Sequence, residues 1–380
     1  MDPKYTQRFF LNAYFFLSGI CFSTWTSRIP TIKANFDYND AELGTVLLFM
    51  PISSLVGLPL SGWLVSRFDS RQPMTAGLVF LALALLIIGW APSSFVLICG
   101  VCLFAFSMRI MNIAVNTQSI TLQKKFDYRI NGIFHGLWST GGIAGVGIST
   151  AFVGFQVPMR IHLSMIAFFA ICAALYSYPY LLRHDKSTTG NRLRVTKPDP
   201  YIVYLGLLVF FAAICEGGMF DWSGVYFKEI VREELFTLGY LLFMICMALS
   251  RFASDTIIDR FGMPKTYLLS ASFIFTGIAL AVIFPYFWPS MVGFCLVGLG
   301  TAAVVPMTYL LAGSSKKYSA GVTISIVSTY SIVGMLLGPP MIGYVAHALN
   351  LRIAFIIFGL AGLMLIPVSK LFFRNQNLIR

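Results

Sequence analysis

The chain has 380 residues, of which 57% are hydrophobic and only 11% are charged, and its formal net charge is +12. A soluble protein of this length would carry roughly a quarter charged residues, so this composition excludes a soluble protein. It indicates an integral membrane protein, in which about 20 apolar residues form each spanning helix.

The first apolar run, residues 8–27, is too long for a signal-peptide core and is followed by no small-residue cleavage site. We therefore predict an uncleaved first span. The seven cysteines all fall in apolar runs, without disulfide or zinc-ligand spacing. We expect them to be packing residues, and we expect no metal site and no cofactor.

Twelve spans follow from the apolar runs. With a cytoplasmic N-terminus, nineteen Lys and Arg residues fall on the cytoplasmic side, six fall outside, and two lie within spans. This bias places both termini in the cytoplasm and explains the positive charge without nucleic acid. The predicted spans are residues 8–28, 41–65, 73–90, 94–118, 132–156, 161–182, 201–227, 235–258, 265–285, 288–312, 320–346 and 351–373.

One long hydrophilic segment, residues 183–200, is rich in Ser, Thr, Gly and Pro and reads as a cytoplasmic linker. It separates an N-terminal six-helix bundle, residues 1–182, from a C-terminal six-helix bundle, residues 201–380. The halves are related, since STGGIAG (139–145) aligns with STYSIVG (328–334). An all-α membrane protein with two six-helix repeats is typical of secondary transporters.

Six stretches of the chain are distinctive when taken together: WTSRIPTIKANF (25–36), PLSGWLVSRFDSR (59–71), MNIAVN (111–116), FHGLWSTGG (134–142), EGGMFDWS (216–223) and RFASDTIIDRFG (251–262). With them the chain resembles the major facilitator superfamily over its whole length, and within it the fucose-permease-like branch, nearest to the YbjJ-type bacterial inner-membrane transporters. The resemblance implies the major facilitator fold, alternating access, a midplane site lined by spans one, four, seven and ten, and an inner-membrane location.

The resemblance also implies gating by charged residues near the cytoplasmic ends of spans two and eight. The loop after span two departs from the family motif at Asp69, whereas the copy after span eight keeps Asp259 and Arg260. Arg251 and Asp255 are four residues apart, a spacing that favours an ion pair latching the cytoplasmic side. The predicted gating residues are Arg67, Asp69, Arg71, Arg251, Asp255, Asp259 and Arg260.

Span four carries a polar stripe, because Arg109, Asn112 and Asn116 stand at i, i+3 and i+7. An arginine at this depth must face an aqueous cavity or a partner. One interpretation is a structural ion pair that holds the bundle. The other is contact with the substrate, which would favour an anionic or carboxylate-bearing solute.

Span seven contains two acidic residues, Glu216 and Asp221, within an apolar run. Gly217 and Gly218 follow Glu216 directly, which predicts a loosened, discontinuous helix lining a cavity. Glu216 is the candidate for reversible protonation and proton coupling. The alternative is a permanent pair with Arg109 or another cation. Asp221 lies nearer the outer surface, as a rim residue of the site or a helix-end partner.

Aromatic residues and a histidine stand beside these polar groups. Tryptophan faces can stack on a sugar ring or planar metabolite, although Trp25 and Trp222 could equally be interfacial anchors. Trp138 lies one turn from His135, which could donate to a substrate or simply pack between helices. The predicted substrate-binding residues are Trp25, Arg109, Asn112, Asn116, His135, Trp138, Glu216, Asp221 and Trp222.

Three functions remain open. The first is a proton-coupled secondary transporter of a small polar solute, sugar-like or an organic anion. The second is a proton-driven exporter of drugs or metabolites, and the third is a membrane sensor that does not transport. The four histidines are scattered, and no catalytic motif is present, so we expect no enzyme. The expected partners are the solute, protons and the lipid bilayer, with a monomeric chain and no nucleic acid.

Overall fold

The computed structural model describes residues 3–127, 130–185, 199–314 and 320–376. Within these ranges the side chains of residues 131, 132, 255, 320–322, 325, 375 and 376 are not described. The regular structure of the described residues is helical throughout. This is the all-α class that the sequence predicts.

Six long helices form before the predicted linker, and the sixth is followed by a 3-10 turn at residues 178–180. They are α1 (Pro3–Asn35), α2 (Asp40–Arg67), α3 (Arg71–Gly89), α4 (Ser94–Gln123), α5 (Asn131–Gly154) and α6 (Met159–Ser177).

The helices after the predicted linker are less regular, because the tenth and twelfth spans are each divided into two pieces. A five-residue π turn, residues 227–231, also extends the seventh helix. The helices are α7 (Pro200–Tyr226), α8 (Leu238–Phe261), α9 (Met263–Ile283), α10 (Phe287–Thr301), α11 (Val304–Gly313), α12 (Ala320–Ala348), α13 (Leu351–Ala354) and α14 (Ile356–Gln376).

Each predicted span corresponds to one helix or to one divided helix. Ten helical segments of the described chain are long and apolar enough to cross a membrane. The helices α1 and α8 are not among the ten. Serines, threonines and Arg28 dilute the apolar sequence of α1, and the segment of α8 that is described without a gap, residues 238–254, is apolar but shorter than 18 residues.

The chain divides into two compact units. The first contains residues 1–37 and 49–191, and the second contains residues 38–48 and 192–380. The first turns of α2 therefore belong with the second unit. The predicted bundle boundaries at residues 182 and 201 stay a prediction, because residues 186–198 of the predicted linker lie outside the described residues.

In the first unit, α1 and α5 approach closely through glycines. A Cβ built on Gly141 would lie 2.0 Å from the carbonyl oxygen of Phe16, and one on Gly145 would lie 2.8 Å from that of Ile20. Only hydrogen atoms fit into such a contact. Small residues thus allow two backbones to pack directly, as is common between membrane helices.

The second unit repeats this contact between α7 and α12. A Cβ on Gly334 would lie 2.5 Å from the carbonyl oxygen of Phe210, and one on Gly206 would lie 2.6 Å from the ring of Tyr330. Gly334 is the residue that the sequence repeat aligns with Gly145. The first and fifth spans therefore pack like the seventh and eleventh, as the internal repeat predicts.

The prediction of a discontinuous seventh span is wrong. Helix α7 runs without interruption from Pro200 to Tyr226, straight through Gly217 and Gly218. A Cβ on Gly218 would lie 2.1 Å from the ring of Phe358 on α14. The glycine at 218 therefore makes room for an aromatic ring and does not loosen the helix.

Candidate functional site

An ion pair joins α7 and α8 inside the second unit. Nη2 of Arg251 donates to Oε1 of Glu216 at 2.7 Å. Glu216 is 8% exposed, whereas the Arg251 side chain is 30% exposed. A short, charge-assisted bond of this kind is among the stronger hydrogen bonds in proteins. It also supplies the partner that an ionised glutamate in a membrane span requires.

Helix geometry places Glu216 deep in its span. Helix α7 begins after Asp199, whose side chain accepts the N–H of Tyr201 as an N-terminal cap, and Pro200 occupies the first turn. Glu216 is sixteen residues further on, or about 24 Å along the axis. Its charge is therefore far from the end of the helix at which the predicted linker joins.

This contact bears on two predictions. Asp255 is the predicted partner of Arg251, but the side chain of Asp255 lies outside the described residues. The described guanidinium bond goes to Glu216, and a pairing of Arg251 with Asp255 stays a prediction. Of the two interpretations of Glu216, the structure shows pairing with a cation in this conformation, and that cation is Arg251.

Hydroxyl groups stand near the ion pair. The phenol of Tyr309 on α11 lies beside the side chains of Ser328 and Ser331 of α12, within range of the charge of Glu216. The sequence analysis missed these residues. Ser328 and Ser331 lie in the repeated segment STYSIVG, which was the available signal, whereas nothing in the sequence singles out Tyr309.

Asp221 and Trp222 differ from Glu216 in their surroundings. Asp221 is half-buried, and no described residue forms a hydrogen bond or ion pair with its carboxylate. Trp222 is fully buried, and its indole N–H donates to the carbonyl oxygen of Pro339 on α12 at 3.2 Å. In this conformation Trp222 joins two helices, and its role in substrate binding stays a prediction.

The polar stripe of α4 lies in the first unit. Nε of Arg109 donates to Oγ of Ser54 on α2 at 2.8 Å. No described carboxylate of that unit forms an ion pair with the guanidinium, which leaves its charge uncompensated there. The Asn116 side chain donates to the backbone oxygen of Asn112 at 2.7 Å. The Asn116 amide therefore turns back onto its own helix.

The other predicted binding residues of the first unit lie on α1 and α5. Trp25 is 1% exposed, packs near Phe104, and has an indole N–H without a hydrogen-bond partner among the described residues. Trp138 is half-buried beside Phe22, with ring centroids 6.0 Å apart. His135 is exposed and its ring lies edge-on to Phe15.

The predicted gating residues other than Arg251 and Asp255 lie at or near the ends of α2, α3 and α8. Arg71 is 3.9 Å from a carboxylate oxygen of Asp69, and its guanidinium lies 4.9 Å above the ring centre of Tyr178. The side chain of Arg67 is exposed, as are those of Asp259 and Arg260. Their gating role stays a prediction.

A buried network at the start of α3 was not predicted. The carboxylate of Asp185 accepts the backbone N–H of Ser70 at 2.8 Å and also accepts the Ser70 hydroxyl. The Gln118 side chain donates to the same hydroxyl at 2.8 Å. Asp185 lies at the start of the predicted linker, so the last described residues before the gap are fixed to α3 and α4.

Comparison with known families decides the identity of the fold. A sequence model of the Major Facilitator Superfamily matches residues 10–271 and 235–377. The chain belongs to the Major Facilitator Superfamily. The two matches together cover nearly the whole chain, and they overlap over residues 235–271.

Individual relatives agree with this assignment. The chain is 29% identical to an uncharacterized MFS-type transporter of Yersinia pestis, over 97% of this chain and 96% of that protein. It is also 29% identical to the membrane protein MosC of Rhizobium meliloti, over 96% and 89% of the two chains.

Solved transporter structures share the fold at low sequence identity. The nucleoside transporter NupG superposes with a TM-score of 0.80 at 13% identity, covering 98% of this chain and 100% of that one. A bacterial homologue of the lysosomal transporter Spinster gives 0.76 at 15% identity, covering 96% of each chain. The protein is thus a multi-pass membrane protein of a transporter family with the major facilitator fold.

Proposed function

We propose that the protein is a proton-coupled secondary transporter of a small polar solute, which is either sugar-like or an organic anion. We further propose that this solute carries a carboxylate group. The observation that carries the proposal is the Arg251–Glu216 ion pair. A charge within a membrane span marks a functional site by default. The alternating-access mechanism is part of the proposal.

The pair provides a site for exchange between two anions. Arg251 is the more exposed partner, so an incoming carboxylate can approach its guanidinium and compete with Glu216. Guanidinium and carboxylate match in geometry and can form two parallel hydrogen bonds. When Glu216 accepts a proton, it loses its negative charge and releases Arg251 to the solute.

Charge balance gives this exchange its physical advantage. Without solute, Arg251 is neutralised by Glu216; with solute, it is neutralised by the solute carboxylate while Glu216 is protonated. Binding one carboxylate together with one proton therefore adds no net charge to the site. Alternating exposure of the site to the two sides then carries no additional unpaired charge through the membrane, which would be costly. One proton accompanies each carboxylate.

Arg109 and Asn112, one turn apart on the same face of α4 in the first unit, keep their predicted role in substrate binding as part of this proposal. Tyr309 offers a phenol close to the pair. We further propose that the chain belongs to the fucose-permease-like branch and acts as a monomer in a bacterial inner membrane, with both termini cytoplasmic.

The test is a thermal-shift screen of the purified protein against sugars, organic acids and cationic drugs at pH 5.5 and 7.5. We expect an organic acid to stabilise the wild type more at pH 5.5, because in this proposal binding of the carboxylate is coupled to uptake of a proton by Glu216. Glu216→Gln should bind the same acid without this pH dependence. Arg251→Gln should weaken binding about 10- to 150-fold, the loss of one charge-assisted hydrogen bond. Glu229→Gln, an exposed change beyond α7, is the matched control.

The other functions predict different results. Stabilisation by apolar cations alone would favour the drug exporter. A ligand that binds but is not moved into proteoliposomes would favour the sensor. If Glu216→Gln keeps the pH dependence of the wild type, Glu216 is not the coupling residue and the exchange mechanism is wrong.

A further inference from the structure

An apolar groove runs between α2 and the pair α3–α4 within the first unit. Its larger part is a cavity of about 530 Å³. That volume is within the range of small-molecule sites, roughly 300–1,000 Å³. Its wall is formed mainly by the side chains of Leu60, Leu64, Phe68, Phe80, Phe106 and Ile110.

A second cavity continues the groove along α2. Its volume is about 320 Å³, and it shares Leu103 and Phe106 with the first cavity. On α2 the first cavity extends from Leu60 to Phe68, which is about 12 Å along the helix axis. One leaflet of a bilayer has a hydrocarbon depth of about 15 Å, half of the core. The first cavity therefore spans most of the depth of one leaflet.

The groove ends beside a cation. Arg67 is the last residue of α2 and directly precedes Phe68, which lines the groove. Its side chain is exposed, and no described residue forms a hydrogen bond or ion pair with it. Gln72, also exposed, lines the same end of the groove. A positive charge and an amide thus stand where an apolar groove of leaflet length reaches the membrane surface.

We propose that this groove binds an acyl chain of an anionic phospholipid, with the phosphate held by Arg67 and Gln72. The walls favour a lipid over a free anion, because Gln72 and the buried Ser107 are the only polar residues that line the first cavity. A soluble anion would leave the apolar length of the groove unfilled. Arg67 accounts for selectivity, since arginines at the membrane surface attract anionic headgroups. The site is separate from the Arg251–Glu216 pair and does not depend on the proposed transport function.

The test measures retained lipid by native mass spectrometry on the purified full-length protein. The probes are phosphatidylglycerol and phosphatidylcholine with identical acyl chains, and glycerol phosphate as the free headgroup. Arg67→Gln removes the cation, and Ala76→Phe places a ring in the groove, which Ala76 lines. Arg374→Gln, another exposed arginine at a helix end, is the matched control.

We expect the wild type and Arg374→Gln to retain one phosphatidylglycerol about five-fold more tightly than phosphatidylcholine, the ratio given by about 1 kcal/mol of arginine attraction. Arg67→Gln should lose this preference while still retaining either lipid, and Ala76→Phe should lose both lipids. Equal retention of the two lipids by the wild type would overturn the proposal. So would an unchanged preference in Arg67→Gln, or displacement by glycerol phosphate at equal concentration. If Ala76→Phe does not fold, the lipid preference of the surface variant Arg67→Gln still tests the proposal.

Discussion

The two glycines that follow Glu216 on α7 form a matched pair with opposite surroundings. A Cβ on Gly218 would lie 2.1 Å and 2.2 Å from two ring carbons of Phe358. Real Cβ atoms essentially never approach another heavy atom more closely than 3.0 Å. A Cβ on Gly217 would meet Met335 at 3.5 Å, an ordinary van der Waals contact. We therefore expect Gly218→Ala to destabilise the protein relative to Gly217→Ala.

The size of the difference follows from packing. In Gly218→Ala the gap must open from 2.1 Å to at least 3.0 Å, a movement of about 0.9 Å. Phe358 is fully buried and packs edge-on against Phe355, so its ring has no free space to enter. Overpacking of this kind costs about 1–3 kcal/mol. The gain in helix propensity from Gly to Ala, about 1 kcal/mol, is common to both variants and cancels in the comparison.

Thermal unfolding in detergent, followed by intrinsic fluorescence, measures the difference. Gly217→Ala should melt at or above the wild type, and Gly218→Ala should melt below Gly217→Ala. Adding Phe358→Leu to Gly218→Ala should recover part of the loss, because the smaller side chain vacates the contact. If the two alanine variants melt together, Gly218 is not selected by packing, and a hinge at the glycine pair would have to be reconsidered.

Two further predictions concern the first unit. Gly141→Ala should lower the melting temperature, because the new Cβ would collide with the carbonyl oxygen of Phe16. Gly147→Ala should not lower it, because no atom lies within 4 Å of that Cβ position. Equal melting temperatures of the two variants would contradict the α1–α5 packing. His162→Ala should destabilise by about 1.5–3 kcal/mol, because it removes the ring nitrogen that accepts a 3.0 Å hydrogen bond from buried Arg28. Thermal unfolding again reports the loss, and a melting temperature equal to that of the wild type would show that water or another group satisfies Arg28.

Some of the candidate site was visible in the sequence, because a charge is conspicuous in an apolar run. Glu216 and Arg109 stand out for this reason, and the depth of each follows from counting residues. Their partners were not visible. The i, i+4 spacing predicts a local partner for Arg251, Asp255, and gives no sign of the described bond to Glu216, 35 positions earlier.

The same limit applies to the buried polar contacts of the first unit. Asp185 reaches Ser70 across 115 positions of sequence, and Arg28 reaches His162 across 134. Each pair joins residues from the ends of different helices. No motif records such a pair, because the distance along the chain says nothing about which helix ends meet.

What the sequence by itself determined is the set of spans, their orientation and their two-fold repetition. The bilayer enforces this, since a segment can leave water only if its composition is apolar and its backbone groups are satisfied within the helix. What only the tertiary structure decided is the rotation of each helix and the neighbour it meets. Helices such as α7 are apolar on all sides, so no polar stripe marks the face that turns inward. That face is chosen by packing, as where Gly218 admits the ring of Phe358 and Glu216 reaches Arg251.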